Sequence, residues 1–321
     1  MSSESPLISV VIPAYMAENT LARALDSVVS QRFDDAEVVV VDDCSTDRTA
    51  EIARRYADRL KMNVISLTRN SGAAAAFNHA VSAVRGRYIC RLDADDTLST
   101  GLFDDIAQIL LKESPDIVRG GYNRLRDSVS TYVPVVRATD LNDFSINVDH
   151  FSLCWKLIRT DLLTNADSRP FVGIDCWEDL GVLSRIFARR PSVIDVARPF
   201  YTYYISSGKQ SLSKSRRERL LADHLAMADR LSEWFDSRGL SERYREFLDH
   251  LKFAAKVKLL RGRGRDVARW KNTYSEVNRR VLSLRHVAMI HRLLFATVAI
   301  LPTGLSQTIS DLCDRLPRLK R

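Results

Sequence analysis

The first hundred residues of the chain alternate between two periodicities, and this limits the folds open to it. Four short runs are rich in β-branched and other apolar residues: 7–12, 37–41, 64–67 and 88–92. Between them lie segments with helical spacing: 21–29, a stretch that Asp47 caps and that continues through Arg59, and the Ala-rich 72–84. Strands separated by helices predict a parallel sheet with helices on both faces. In such a sheet, ligands bind beyond the carboxyl ends of the strands. Those ends read Pro13-Ala14-Tyr15, Asp42-Asp43 and Asp93-Ala94-Asp95-Asp96, so these residues are expected along one edge.

Further on, 102–112 reads as a helix and 116–120 as a strand. Residues 121–150 carry no clear period. Segments 155–163 and 178–188 have helical spacing, and 201–205 reads as a strand leading into the polar loop 206–213. From Lys214 onward the pattern is helical, at 217–235, 241–260 and 284–301, with the Arg-Gly-Arg-Gly-Arg stretch 261–265 breaking the second. The expected architecture is an α/β domain over 1–214 followed by a basic helical region over 215–321.

The charge changes sign at the same place. Residues 215–321 hold 23 Lys/Arg and 12 Asp/Glu, a net of +11, whereas 1–214 hold 25 basic and 28 acidic residues, a net of −3. Opposite signs suggest different partners: a cation for the first part, an anionic surface for the second. The basic part has no aromatic interleaving or nucleic-acid motif, so no nucleic-acid partner is expected. The run 287–301 beside these charges suits an interfacial anchor, with helical packing against the first domain or a dimer partner as the alternative. Five cysteines without a C-x-x-C pair argue against a disulfide framework or a zinc site and fit a reducing compartment. Residues 1–6 lack a signal segment, and the late apolar run 293–301 is far short of the roughly 20 residues a spanning helix needs. The expectation is a cytoplasmic protein, at most peripheral on the inner face of the membrane.

Alternating carboxylates at the end of a buried strand offer the hard oxygen ligands that Mg²⁺ or Mn²⁺ take. The same loop is also compatible with a solvated turn. Asp42 and Asp43 end the second strand, where a carboxylate can accept a hydrogen bond from a base N–H. Capping of the next helix is already available from Ser45, Thr46 and Asp47. Glu178-Asp179 follow Trp177 and offer a carboxylate base in an apolar setting, or an acidic first helical turn favoured by the helix dipole.

These motifs, in this order, resemble family 2 glycosyltransferases with the GT-A fold: Ile12-Pro13-Ala14-Tyr15, Val41-Asp42-Asp43-Cys44-Ser45-Thr46-Asp47, Arg69-Asn70-Ser71-Gly72 and Asp93-Ala94-Asp95-Asp96. The resemblance continues at Trp155-Lys156-Leu157, at Trp177-Glu178-Asp179 and from Tyr203 to Ser213. It implies inverting, metal-dependent transfer of a sugar from a nucleotide diphosphate, most simply a UDP-sugar, to a glycan or lipid-linked acceptor in surface polysaccharide or glycolipid synthesis. By the same resemblance Pro13, Ala14, Tyr15 and Glu18 line the nucleotide pocket, with Ala94 beside it. Asp42 or Asp43 reads the base, and Asp93 approaches the ribose or the metal. Asp95 is the principal ligand of Mn²⁺ or Mg²⁺, and Asp179 is the general base beside Glu178. Trp155, Lys156, Trp177, Gln210 and Ser211 fall in acceptor or donor-loop positions.

One position departs from the family pattern. Many members carry an arginine in the helix after the Asn-x-Gly turn, just before an asparagine; here that position is Phe77, ahead of Asn78. Arg69 and Lys156 are alternative sources of charge for the donor phosphates. Phe77 also motivates the competing reading of a non-catalytic nucleotide-sugar binder or scaffold, which the joint presence of Asp95 and Asp179 opposes.

Overall fold

The computed structural model describes residues 5–205, 217–260 and 265–306. In chain order its first elements are β1 (Ile8–Ala14), α1 (Leu21–Val29), β2 (Ala36–Asp42), α2 (Thr49–Arg54), β3 (Met62–Ser66), α3 (Ala73–Ala83) and β4 (Tyr88–Arg91). There follow β5 (Thr97–Leu98), α4 (Leu102–Lys112), β6 (Ile117–Arg126), β7 (Val129–Val133), α5 (Val148–Phe151), β8 (Lys156–Arg159), α6 (Thr160–Thr164), α7 (Glu178–Phe187) and β9 (Val193–Ile205). The last helices are α8 (Arg217–Asp236), α9 (Arg245–Lys256), α10 (Val267–Asn272), α11 (Ser275–Asn278) and α12 (Met289–Ile300).

The chain divides into two compact units, Met1–Thr139 with Phe151–Lys209, and Asp140–His150 with Gln210–Arg321. In the first, one sheet runs β3-β2-β1-β4-β8-β6-β9-β5, with β7 paired to β6. The expected parallel half is present: β1 pairs in parallel with β2 and β4, and β2 with β3. Ala14 lies opposite Asp42, so the carboxyl ends of β1 and β2 meet at one edge. The other half is mixed. β8 inserts antiparallel between β4 and β6, while β6 and β9 run parallel.

The core explains the order. Ile8, Val10, Val11 and Ile12 of β1 and Val38 to Val41 of β2 are nearly inaccessible on both faces, as central strands covered by helices must be. Helix α3 lies over β1 and β2. Ala74, Ala75, Ala76 and Ala80 form its buried side with Phe77 and Val81. Small side chains let the helix axis approach the sheet, which brings Phe77 to the end of β4. At the amino end of the strands, buried Glu37 accepts from the Ser9 hydroxyl at 2.7 Å and pairs with Arg85 at 2.9 Å. Burial alone would raise its pKa, but those two donors outweigh it and hold Glu37 below its ordinary value.

Two assignments are corrected. Segment 155–163, expected as a helix, is strand β8 followed by the short helix α6. Lys156, Leu157 and Ile158 are all buried, and a short run buried on both faces has no period to separate strand from helix. The helix after Asp47 stops at Arg54 rather than Arg59, its end closed by bonds from the Arg55 N–H to the Glu51 and Ile52 carbonyls.

The second unit has its own core around Trp270, with Phe253, Leu260, Val281, Phe295 and Val298. Its helices match the expected pattern with trimmed ends. α9 begins at Arg245 and passes into a 3₁₀ turn over Val257–Leu260, and α12 spans Met289–Ile300. Segment 140–150 belongs to this unit: the Asn142 side-chain amide donates to the Arg243 carbonyl at 3.0 Å and accepts from the Phe247 N–H at 3.2 Å. Among the described residues no helix is long and apolar enough to cross a membrane.

Candidate active site

The site is built where β4 ends. Its last residue, Arg91, is 7% exposed, at the end of a strand buried throughout. A charge in such a place is tolerated only when paired and hydrogen-bonded. Nε of Arg91 donates to Oδ1 of Asp93 at 3.0 Å, Nη1 to Oδ1 of Asp179 at 2.6 Å, and Nη2 to Oε1 of Glu178 at 3.4 Å. The guanidinium lies over the ring of Phe77, 5.3 Å from its centroid, in the geometry of a cation–π contact.

The acidic loop divides its carboxylates between two tasks. Asp96 is 1% exposed and turned inward, accepting from the Tyr201 hydroxyl at 2.9 Å and the Tyr204 N–H at 2.8 Å. The Tyr201 oxygen in turn accepts from the Asp93 N–H at 3.0 Å. Asp96 thus fastens β9 to the loop, and burial followed by the charges of Asp93 and Asp95 pushes its pKa up to about 8. Asp93 is half-buried and held by Arg91, with the Cys154 thiol 3.4 Å from its Oδ2. Asp95 is exposed at the tip, and its backbone carbonyl accepts from Arg23. Ala94 between them is buried.

Glu178 and Asp179 open α7, positioned by Trp177 in the left-handed region at φ 69°. Both oxygens of Asp179 are engaged, Oδ1 by Arg91 and Oδ2 by the Leu153 N–H at 3.1 Å. Burial, then the charge of Asp179, pushes Glu178 up to about 7. Asp179 is also raised by burial, which outweighs the opposing pull of Arg91. The three carboxylates Asp93, Glu178 and Asp179 share one guanidinium. Fully ionised, this group carries a net charge of −2, an excess that favours a proton or an added cation.

Along the same edge, the Asp43 N–H donates to the Ala14 carbonyl at 2.9 Å, tying β2 to the end of β1. Asp42 and Asp43 are both 3% exposed. Asp42 accepts from the Ser45 N–H at 3.1 Å, and Asp43 accepts from the N–H groups of Ser71 and Gly72, each at 2.8 Å. Both carboxylates therefore hold loops in place. Gly72 has φ +88°, and a Cβ there would lie 2.2 Å from Oδ1 of Asp175, so only glycine fits this turn. Tyr15 is 43% exposed at the end of β1, Pro13 is half-buried, and Glu18 accepts from the Arg48 backbone and guanidinium at 3.3 Å. Arg69 is exposed at the start of its turn.

The remaining candidates divide. Trp155 is 5% exposed and stacked on Tyr122 with centroids 4.1 Å apart, a packing role. Lys156 is buried, and its Nζ donates to the Ser152 carbonyl at 2.5 Å. Trp177 is half-buried at the start of α7. Gln210 and Ser211 lie outside the described residues. Sequence reasoning missed Arg91, Tyr201 and the Leu153 N–H. The signal for Arg91 was an arginine closing an otherwise apolar strand, Tyr88-Ile89-Cys90-Arg91. Among the described residues no three His, Cys, Asp or Glu side chains are grouped to hold a metal by themselves.

A mostly parallel sheet with acidic loops at one edge and a carboxylate pair beside them defines a GT-A glycosyltransferase fold. The fold is shared, at 18% identity and a TM-score of 0.72 over 98% of this chain and 93% of the other, with S. aureus TarS 1-349 solved in complex with UDP. It is shared more distantly, at 15% identity and a TM-score of 0.52 over 98% and 89%, with the mannosyltransferase PcManGT from Pyrobaculum calidifontis solved with GDP-Man and Mn²⁺. Residues 9–166 match the family model for glycosyl transferase family 2. A Bacillus subtilis relative, the putative teichuronic acid biosynthesis glycosyltransferase TuaG, is 34% identical over 125 residues, covering 38% of this chain and 49% of TuaG. The chain spans between about a third and a half of the length of the curated relatives it first matches.

Proposed function

We propose that the chain is an inverting glycosyltransferase that moves a sugar from a nucleotide-diphosphate donor to a hydroxyl of a glycan or lipid-linked acceptor. The observation that carries this reading is the cluster around Arg91, which brings the acidic loop and the Glu178-Asp179 pair together at the ligand-binding edge of the sheet. In the reaction, the acceptor oxygen forms a bond to the anomeric carbon from the face opposite the diphosphate. The bond from that carbon to the phosphate oxygen breaks, the nucleoside diphosphate leaves with its electron pair, and the anomeric configuration inverts. Asp179 takes the proton of the attacking hydroxyl. Burial raises its basicity, and a carboxylate keeps lone pairs for that proton while Arg91 and Leu153 hold its orientation.

The donor chemistry of the loop fits a hard divalent cation. Asp95, with Asp93 beside it, would hold Mn²⁺ or Mg²⁺ together with diphosphate oxygens and water, and the ion would neutralise charge on the leaving diphosphate. The edge formed by Pro13, Ala14, Tyr15 and Glu18, with the loops pinned by Asp42 and Asp43, is the place for the nucleoside. UDP-sugars are the first donors to test, because UDP is the ligand solved with TarS. The likeness to TuaG supports a role in surface polysaccharide synthesis.

The competing reading, a non-catalytic binder, rested on Phe77. The guanidinium of Arg91 over that ring places a cation beside the very position the arginine would have occupied, which favours catalysis. The helical unit is proposed to contact an anionic membrane surface: beside its net positive charge, α12 exposes Met289, Ile290, Leu293 and Ile300.

The test is release of nucleoside diphosphate from UDP-glucose, UDP-N-acetylglucosamine and GDP-mannose in the presence of Mn²⁺. Release from at least one donor, with a raised melting temperature on binding, is the expected result. A protein that neither binds nor cleaves any nucleotide sugar would refute the reading.

A further inference from the structure

On the reading just given, we propose that Arg91, seated on Phe77, is the positioning residue that fixes the Asp179 carboxylate relative to the acidic loop. Its three nitrogens each point to a different site carboxylate: Nε to Asp93, Nη1 to Asp179 and Nη2 to Glu178. A planar guanidinium can hold such partners at fixed angles, which the point charge of a lysine cannot. The Leu153 N–H holds the second oxygen of Asp179, so two donors on different segments set the plane of that carboxylate. Phe77 closes the arrangement by covering one face of the guanidinium at 5.3 Å.

Phe77 and Arg91 belong to different elements, α3 and β4, yet their side chains meet, the guanidinium lying 5.3 Å from the ring centroid. On this proposal, an arginine carried at position 77 would reach across that contact toward the carboxylates that Arg91 now holds. The resemblance puts an arginine at position 77; here the ring stands there and the cation comes from the strand. The two residues therefore form one unit, in which aromatic and guanidinium groups have exchanged origins. The other titratable groups near Asp179 are Glu178 on the same helix, Asp93 and Asp96 on the loop, Cys154 just before β8 and Lys156 at its start.

The test compares Arg91→Phe, Phe77→Arg and the double exchange with wild type, using Mn²⁺-dependent hydrolysis of UDP-N-acetylglucosamine and circular dichroism to verify folding. Arg91→Phe is expected to lower kcat by about a hundredfold, the low end of what a general base contributes, with KM for the donor little changed. Arg91→Lys, added because Arg91→Phe leaves carboxylates unpaired, is expected to lower kcat in a fully folded protein. The double exchange is expected to regain most of the lost kcat. A folded double exchange no faster than Arg91→Phe, or a normal kcat in Arg91→Lys, would overturn the proposal. If wild type cleaves no donor, the activity reading fails by itself, and the melting temperatures of the four donor-free proteins decide the pairing. Recovery of stability in the double exchange supports the unit, and additive losses reject it.

Discussion

Nη1 of Arg91 lies 2.6 Å from Oδ1 of Asp179, joining the end of a strand to the start of a helix 88 residues further along the chain. This contact connects the donor side of the site to the proposed base. It also makes the site depend on the long-range fold, because neither residue is near the other in sequence.

Donor affinity is expected to depend on a divalent ion held through Asp95. Asp95→Asn removes a hard anionic ligand from an exposed loop tip, so the fold should survive. Calorimetric titration of UDP with and without Mn²⁺ should show a metal-dependent gain in wild type and none in the variant. Equal affinities for wild type in both conditions would contradict the metal role.

The helical unit should lose stability in mild acid. His224 is buried, with Lys258 Nζ 2.8 Å from its Nδ1. Burial, then the charge of Lys258, pushes its pKa from 6.5 down to about 3. Between those values the unfolded chain binds a proton that the folded chain refuses. Stability from this group is therefore complete above about pH 6.5 and is lost progressively as pH falls toward 3. His250, pushed down to about 4 by burial and by His286, acts in the same direction. His224→Gln should flatten the fall in melting temperature between pH 6.5 and 4. An unchanged slope would show that His224 does not contribute.

Much of this was legible in the sequence, and the parts that were not have physical causes. The parallel strands declared themselves because each is a short run of β-branched or other apolar residues flanked by helical spacing. β8 did not, since a strand buried on both faces shows no alternation. The β6–β7 hairpin was also unreadable: Asp127 and Ser128 turn it with φ 47° and 67°, a conformation that Asn-Gly usually signals. In the acidic loop the spacing marked the carboxylates but could not divide their tasks. Asp96 turns inward because Tyr201 and the Tyr204 N–H, more than a hundred residues away, supply donors. Arg91 was hidden for a similar reason: two of its three partners, Glu178 and Asp179, lie 87 and 88 residues away.

Contact with an anionic membrane is expected from the helical unit. Ile290 and Leu293 are 58% and 55% exposed on α12, and each Lys or Arg near an anionic leaflet contributes on the order of 1 kcal/mol. Flotation with anionic liposomes at low salt should retain the full chain, and Ile290→Asp with Leu293→Asp should weaken retention. Failure of the wild-type chain to float would contradict the proposed contact.

Sugar transfer with Asp179 as the base is tested by steady-state turnover of Asp179→Asn against wild type on the best nucleotide sugar. Asparagine keeps the size of the side chain and removes its basicity. The expected result is a kcat lower by about 10²–10⁴-fold with donor affinity near wild type, because the acidic loop is untouched. Glu178→Gln should cost less, since burial pushes Glu178 up to about 7 and so already reduces the charge that the substitution removes. Near-normal turnover in Asp179→Asn, or a larger loss in Glu178→Gln, would contradict the assignment of the base.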